Sequence, residues 1–108
     1  MEKVMDLMTK DPIVVELPGN RRDAINLMVK NQLTGMPVVK DGKLKGFVTR
    51  HDFFNNPDED QLAMIYRKNY PKVSKDESLE EAAKIFVRQN YYYLPVVENG
   101  DECIGIIT

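Results

Sequence analysis

The chain states one pattern twice. Leu33-Thr34-Gly35-Met36-Pro37-Val38-Val39 returns as Tyr92-Tyr93-Leu94-Pro95-Val96-Val97, and Gly46-Phe47-Val48-Thr49 returns as Gly105-Ile106-Ile107-Thr108. Pro37 and Pro95 stand 58 positions apart, while Gly46 and Gly105 stand 59 apart, so the second copy carries one more residue in the turn between its blocks. Halves of about 50 residues are too short to bury an adequate core alone. Repeat units of this kind pack on one another. The expectation is therefore a pseudo-two-fold pair of half-domains with a seam, and a seam is where a small ligand binds.

Each copy reads as the same order of elements. Residues 3–8 form a short amphipathic turn or helix, with Val4, Leu7 and Met8 at helical spacing, ended by Asp11-Pro12. Ile13-Val14-Val15-Glu16-Leu17 is a β-rich run stopped by Pro18-Gly19. Asn20, with Asp23 three residues on, opens a helix whose apolar positions are Ala24, Ile25, Met28 and Val29. Met36–Lys40 and Leu44–Thr49 flank Asp41-Gly42, a hairpin signal because glycine accepts positive φ without steric cost. A short helix follows from Asp52. The second copy repeats this with a strand at Lys72-Val73-Ser74 and a helix opened by Ser78-Leu79-Glu80-Glu81. Its hairpin strands are Tyr93–Val97 and Cys103–Thr108, around Asn99-Gly100. Between the copies, residues 61–68 read as a linker helix with an acidic start and a basic end, which suits the helix dipole. The expected boundaries are 1–57 for the first repeat, 58–69 for the linker helix and 70–108 for the second repeat. That second repeat stops at Thr108, before the equivalent of the first copy's terminal helix.

Composition narrows the function classes. A net charge of −2 supplies no basic field for sequence-independent nucleic-acid binding. No apolar run is long enough to span a bilayer, and the N-terminus has no apolar signal core. One cysteine, Cys103, and one histidine, His51, make neither a zinc site nor a Cys/His catalytic set. The expectation is a cytoplasmic, non-enzymatic protein with no metal and no required cofactor.

The repeated strand-helix-strand-strand order, the Leu/Met-Pro-Val-Val strand and the Gly-apolar-apolar-Thr-x-x-Asp block closely resemble the CBS domain, and two in tandem resemble the CBS pair, or Bateman module. Val4-Met5-Asp6-Leu7-Met8-Thr9-Lys10-Asp11-Pro12 is similar to the family's usual entry. The resemblance implies an α+β fold of two tandem β-α-β-β(-α) repeats. It also implies a regulatory module that binds an adenosine-containing molecule: AMP, ADP, ATP, S-adenosylmethionine or methylthioadenosine. Homodimers and an effector protein, here unknown, go with it.

Binding adenosine calls for a carboxylate that accepts both ribose hydroxyls, an apolar slot for the base, and cations or amide donors for any phosphate. Asp52 matches the family's ribose carboxylate and Thr49 its neighbouring hydroxyl. Thr-x-x-Asp is equally a capping-box arrangement, and the two roles are compatible. By the resemblance, the first cleft takes Phe47, Thr49 and Asp52 with Lys72, Val73, Tyr92, Leu94 and Pro95. The second takes Ile13, Val14, Thr34, Met36 and Pro37 with Ile106 and Thr108, and has no carboxylate. Where the family often carries Arg or His, three residues before the strand proline, this chain has Thr34 and Tyr92. That favours an uncharged or cationic adenosine compound. Arg50, His51 and Lys72 are the cations at hand for a phosphate. In Tyr91-Tyr92-Tyr93, Tyr92 is placed at the cleft and Tyr91 or Tyr93 inward; Met5, Met8, Met28 and Met36 read as core or dimer surface. The competing reading is a structural dimerisation module with degenerate clefts.

Overall fold

The computed structural model describes residues 1–108 and divides into two compact bodies. One is the continuous stretch Ile13–Tyr70; the other joins Met1–Pro12 to Pro71–Thr108. The entry segment of the chain thus belongs to the body of the second repeat, and residues 58–69 belong to the body of the first. This differs from boundaries drawn along the sequence, because the main-chain partners of each entry segment are remote in the chain.

In the 13–70 body, the strand Val15–Glu16 (β2) pairs in parallel with Gly35–Lys40 (β3), which pairs antiparallel with Lys43–Thr49 (β4). The helix Arg21–Asn31 (α2) makes the crossover between β2 and β3, and Arg50–Asn55 (α3) follows β4. Asn20 caps α2 by accepting the Asp23 N–H at 2.8 Å. The helix ends at Gln32, which takes a left-handed conformation. The first strand is shorter than the Ile13–Leu17 run: Ile13 is exposed, and pairing begins only at Val15. The apolar faces of these elements meet in one core of Val15, Ala24, Met28, Met36, Val38, Val48, Phe53, Leu62 and Ile65.

The other body repeats the plan. Val73–Ser74 (β5) pairs in parallel with Leu94–Glu98 (β6), which pairs antiparallel with Glu102–Ile107 (β7), and Leu79–Gln89 (α4) makes the crossover. Ser78 caps α4 through the Glu81 N–H, and Asn90 ends it in the left-handed region. The short helix Val4–Leu7 (α1) and the strand Thr9–Lys10 (β1) complete this body. The Val4 and Met5 N–H groups donate to Glu77 and Lys75, and β1 pairs with β7. Its core is Val4, Val73, Ala82, Leu94, Val96 and Ile107.

The duplication extends to irregularities. Both helices have 11 residues, and both hairpins shift register within their valine pair, Val38/Val39 and Val96/Val97. The added residue lies in the second turn. Lys40 faces Lys43 across Asp41-Gly42, both at positive φ; Glu98 faces Glu102 across Asn99, Gly100 and Asp101, all three at positive φ.

The linker is not a helix over residues 61–68. Leu62–Met64 forms a single 3₁₀ turn, followed by a turn and bend at 65–66 and an isolated bridge at Arg67. The reason is a competing set of main-chain bonds. The Arg67 N–H donates to the Phe47 carbonyl at 2.8 Å and the Phe47 N–H donates to the Arg67 carbonyl at 3.1 Å, so the chain at Arg67 joins the edge of β4. Thr9 pairs with Ile106 in the same way on β7. Gly46 and Gly105 make room for these segments. A Cβ at Gly46 would overlap the Arg67 carbonyl oxygen, and one at Gly105 would crowd the Thr9 carbonyl and the Met8 side chain.

Candidate functional site

The site is built where β4 runs into α3. Thr49 is the last strand residue and the helix N-cap, with extended φ and ψ, which leaves its N–H outside the helix ladder. Asp52 supplies the missing acceptor: its Oδ2 takes the Thr49 N–H at 2.8 Å and the Thr49 hydroxyl at 3.1 Å. The carboxylate of a residue in the first helical turn is also favoured by the helix dipole. The capping role of Thr-x-x-Asp is therefore realised.

Asp52 has a second partner, remote in the chain. Arg67 donates its Nε–H to Asp52 Oδ1 at 2.9 Å. Asp52 is 5% exposed, the one buried charged residue, while the Arg67 side chain is 45% exposed. One oxygen of the buried carboxylate serves the helix cap and the other serves an arginine carried by the segment docked along β4. No buried side-chain nitrogen or oxygen lacks a partner. Next to this pair, the Phe47 ring is fully buried and stacks on Tyr70, with centroids 4.5 Å apart and planes at 23°. The offset between repeats is the signal that points to Arg67: it stands on β4 as Thr9 stands on β7, 58 positions away.

The other expected site residues fall into two groups. In the 13–70 body, Ile13 is exposed, Val14 and Thr34 are half-buried, and Pro37 lies buried opposite Phe47. Met36 is a core side chain, so only its main chain is available to a ligand. In the other body, Val73 and Leu94 are likewise core side chains. Pro95 is buried, Ile106 half-buried and Thr108 exposed. Lys72 is bound to Asp101 at 2.7 Å, which commits its ammonium to a partner in its own body. Tyr92 is 74% exposed, with Tyr91 and Tyr93 half-buried. Met28 joins Met36 in the first core and Met8 packs against the second, whereas Met5 is exposed.

A separate apolar groove of about 360 Å³ runs between α2 and α3, lined by Ile25, Met28, Val29, Leu33, Phe53 and Phe54. Arg21 stands at its edge, donating to the Phe53 and Asn56 carbonyls and lying over the Phe53 ring. Val29 and Phe54 are 72% and 75% exposed. No group of three or more His, Cys, Asp or Glu side chains is placed to hold a metal ion, and no helix is long and apolar enough to cross a membrane.

The family model of the CBS domain matches residues 4–59 and again 62–108. The chain belongs to the CBS domain family. An uncharacterised protein of Methanocaldococcus jannaschii is 31% identical over 108 residues, spanning 98% of this chain and 41% of that protein. A homoserine O-acetyltransferase of Methanocorpusculum labreanum is 32% identical, spanning 97% of this chain and 22% of that enzyme. The chain thus covers less than half the length of these curated relatives. Among solved structures, CBSX2 in complex with AMP superposes with a TM-score of 0.90 at 26% identity, covering all of this chain and 90% of that one. The two repeats of the present chain are thus a tandem CBS pair with an α+β fold.

Proposed function

We propose that this CBS pair is a regulatory module, not a catalyst, that binds an adenosine-containing small molecule and conveys its presence to an effector. The observation that carries the reading is the Thr49–Asp52 pair at the β4–α3 junction. It is a buried carboxylate beside a half-buried hydroxyl at a helix start, in the block by which the chain joins its family. A carboxylate there has the chemistry to accept a ribose diol. The complex of CBSX2 with AMP, at 26% identity over the whole chain, supports adenosine as the shared part of the ligand. A ligand acts on an effector only through its differential affinity for two arrangements of the protein.

The test is thermal melting with AMP, ATP, S-adenosylmethionine and methylthioadenosine. Ligand at about 100 times its Kd stabilises the folded state by about 2.7 kcal/mol, which moves the melting point visibly. No shift with any of the four at millimolar concentration would sink the proposal.

One observation favours a second reading, a self-association module. The α2–α3 groove presents Val29 and Phe54 to solvent as a connected apolar surface, which a second copy of the chain would cover. Light scattering separates the readings. Val29→Lys and Phe54→Glu would abolish dimers and leave adenosine binding intact if both roles exist independently.

A further inference from the structure

The groove between α2 and α3 is bridged at one end and open to a free cation at the other. At the start of α2, Arg21 reaches across to the Phe53 and Asn56 carbonyls, at 3.1 and 2.7 Å, and its guanidinium lies 5.6 Å from the centre of the Phe53 ring. That bridge spans the gap between the helices and commits the cation to carbonyls at the end of α3. At the opposite end α2 is capped by Gln32 and α3 begins at Arg50; both are exposed and both line the groove. The Arg50 N–H fixes its main chain to the Thr34 carbonyl at 3.1 Å, while its guanidinium has no partner in the protein. Between the ends the walls are Ile25, Met28, Val29, Leu33, Phe53 and Phe54, and no carboxylate lines them. The volume of about 360 Å³ falls in the range of small-molecule sites, about 300–1,000 Å³.

We propose that this groove binds a free monocarboxylic acid with a linear apolar tail, the tail lying along the α2–α3 walls and the carboxylate meeting Arg50 and Gln32. The site is independent of the adenosine reading. From Ile25 to Gln32 the helix advances about 10 Å, the reach of a straight chain of about eight carbons. Apolar walls reward a hydrocarbon and penalise a sugar or a nucleobase, whose polar groups would lose water and find no partner. Arg50 offers the planar fork that fits a carboxylate, and the Gln32 amide offers a further donor. A second copy of the chain laid on Val29 and Phe54 brings no carboxylate from its own groove, so it leaves Arg50 without a counter-charge.

The experiment is calorimetric titration of the full chain with hexanoate, octanoate, decanoate and dodecanoate, each below its micelle-forming concentration, and with 1-octanol. Each added methylene should tighten binding about two- to fourfold up to about decanoate, the lower figure because one side of the tail stays open to water, and affinity should level off beyond it. Octanoate should bind about tenfold more tightly than 1-octanol, and Arg50→Gln should erase that difference. Val29→Glu puts a carboxylate on the wall at a position 72% exposed, so circular dichroism should show the fold retained while octanoate binding falls about tenfold or more. Equal binding of octanoate to the native chain and Val29→Glu, or a preference for acid over alcohol that survives Arg50→Gln, would overturn the site. Absence of decanoate binding at millimolar concentration would overturn it as well. Light scattering runs alongside: dimers that decanoate dissolves support the site, whereas dimers that persist without binding decanoate give the groove to a second copy and overturn the proposal.

Discussion

Replacing Gly46 by alanine should detach the chain at Arg67 from β4. An added Cβ would fall well inside 3.0 Å of the Arg67 carbonyl oxygen and 2.9 Å from the Tyr66 ring. The obstructing atom is main chain, so no rotamer change relieves it, and the segment must retreat. Two main-chain hydrogen bonds, Arg67 to Phe47 and Phe47 to Arg67, are lost. At about 1 kcal/mol each they account for roughly 2 kcal/mol. Loosening of Leu62 and Ile65, which the same segment carries into the core, adds about 1 kcal/mol or more. The lower unfolded-state entropy of alanine returns about 0.5–1 kcal/mol. The net loss is about 2–3 kcal/mol, a drop in melting temperature of about 8–24 °C for a body of this size. Urea unfolding followed by circular dichroism gives the energy, and amide hydrogen exchange at Phe47 and Arg67 locates it. Gly105→Ala is the internal control. Its Cβ would meet the flexible Met8 sulfur at 2.6 Å and the Thr9 carbonyl at 3.0 Å, so it should cost less, about 1 kcal/mol. A Gly46→Ala protein that loses under 1 kcal/mol, with both amides still protected, would refute the bridge as the fastener of this segment.

Three further outcomes are expected. Asp52→Ala should cost about 1–2 kcal/mol in urea unfolding, chiefly the α3 cap, since its ion pair with the half-exposed Arg67 is screened by solvent. It should also remove any melting-point rise given by adenosine ligands. Tyr92→Ala should leave stability within about 0.5 kcal/mol, because the ring is largely exposed, and a larger loss would show it packed. Burial pushes the Cys103 thiol above its ordinary value of 9.0, with a bond to the Gly105 carbonyl oxygen acting the other way. A raised folded-state pKa contributes stability that is fully present below the ordinary value and is lost as pH rises through the folded one. At pH 8 a thiol reagent should therefore modify the folded chain more slowly than the urea-unfolded chain, and equal rates would contradict the burial.

Much of the fold was legible in the sequence because its signals are local. Asn20 and Ser78 cap the helices they precede, and Asp41-Gly42 and Asn99-Gly100 turn the hairpins they sit in. The extra residue deduced from the 58 and 59 offsets is the third positive-φ residue of the second turn. What was not legible is which remote strand an extended segment joins. The charge pattern of residues 58–68 favours a helix on its own terms, yet the polar main chain at Arg67 is taken by Phe47, 20 positions earlier. For the same reason Asp52 could be assigned a cap from spacing but not its arginine. A 15-residue separation has no helical or strand period to announce it. The resemblance implies Val73, Leu94 and Met36 as site residues, and burial gives their side chains to the cores.

The assignment of residues 1–12 to the body of the second repeat carries a consequence for how the chain comes together. The Val4 N–H is bonded to Glu77 and β1 to β7, partners some 70 to 97 positions away. Loop closure over such distances is entropically slow. As the protein leaves the ribosome, the 13–70 stretch holds both strands that pair with β3 and all the residues of its own core once Tyr70 has emerged. Residues 1–12, with Val4 and Met8 apolar and uncovered, must wait until β7 is made. Residues 1–12 are thus made before residues 13–70 but folded after them, and they close the later repeat, not the one they precede.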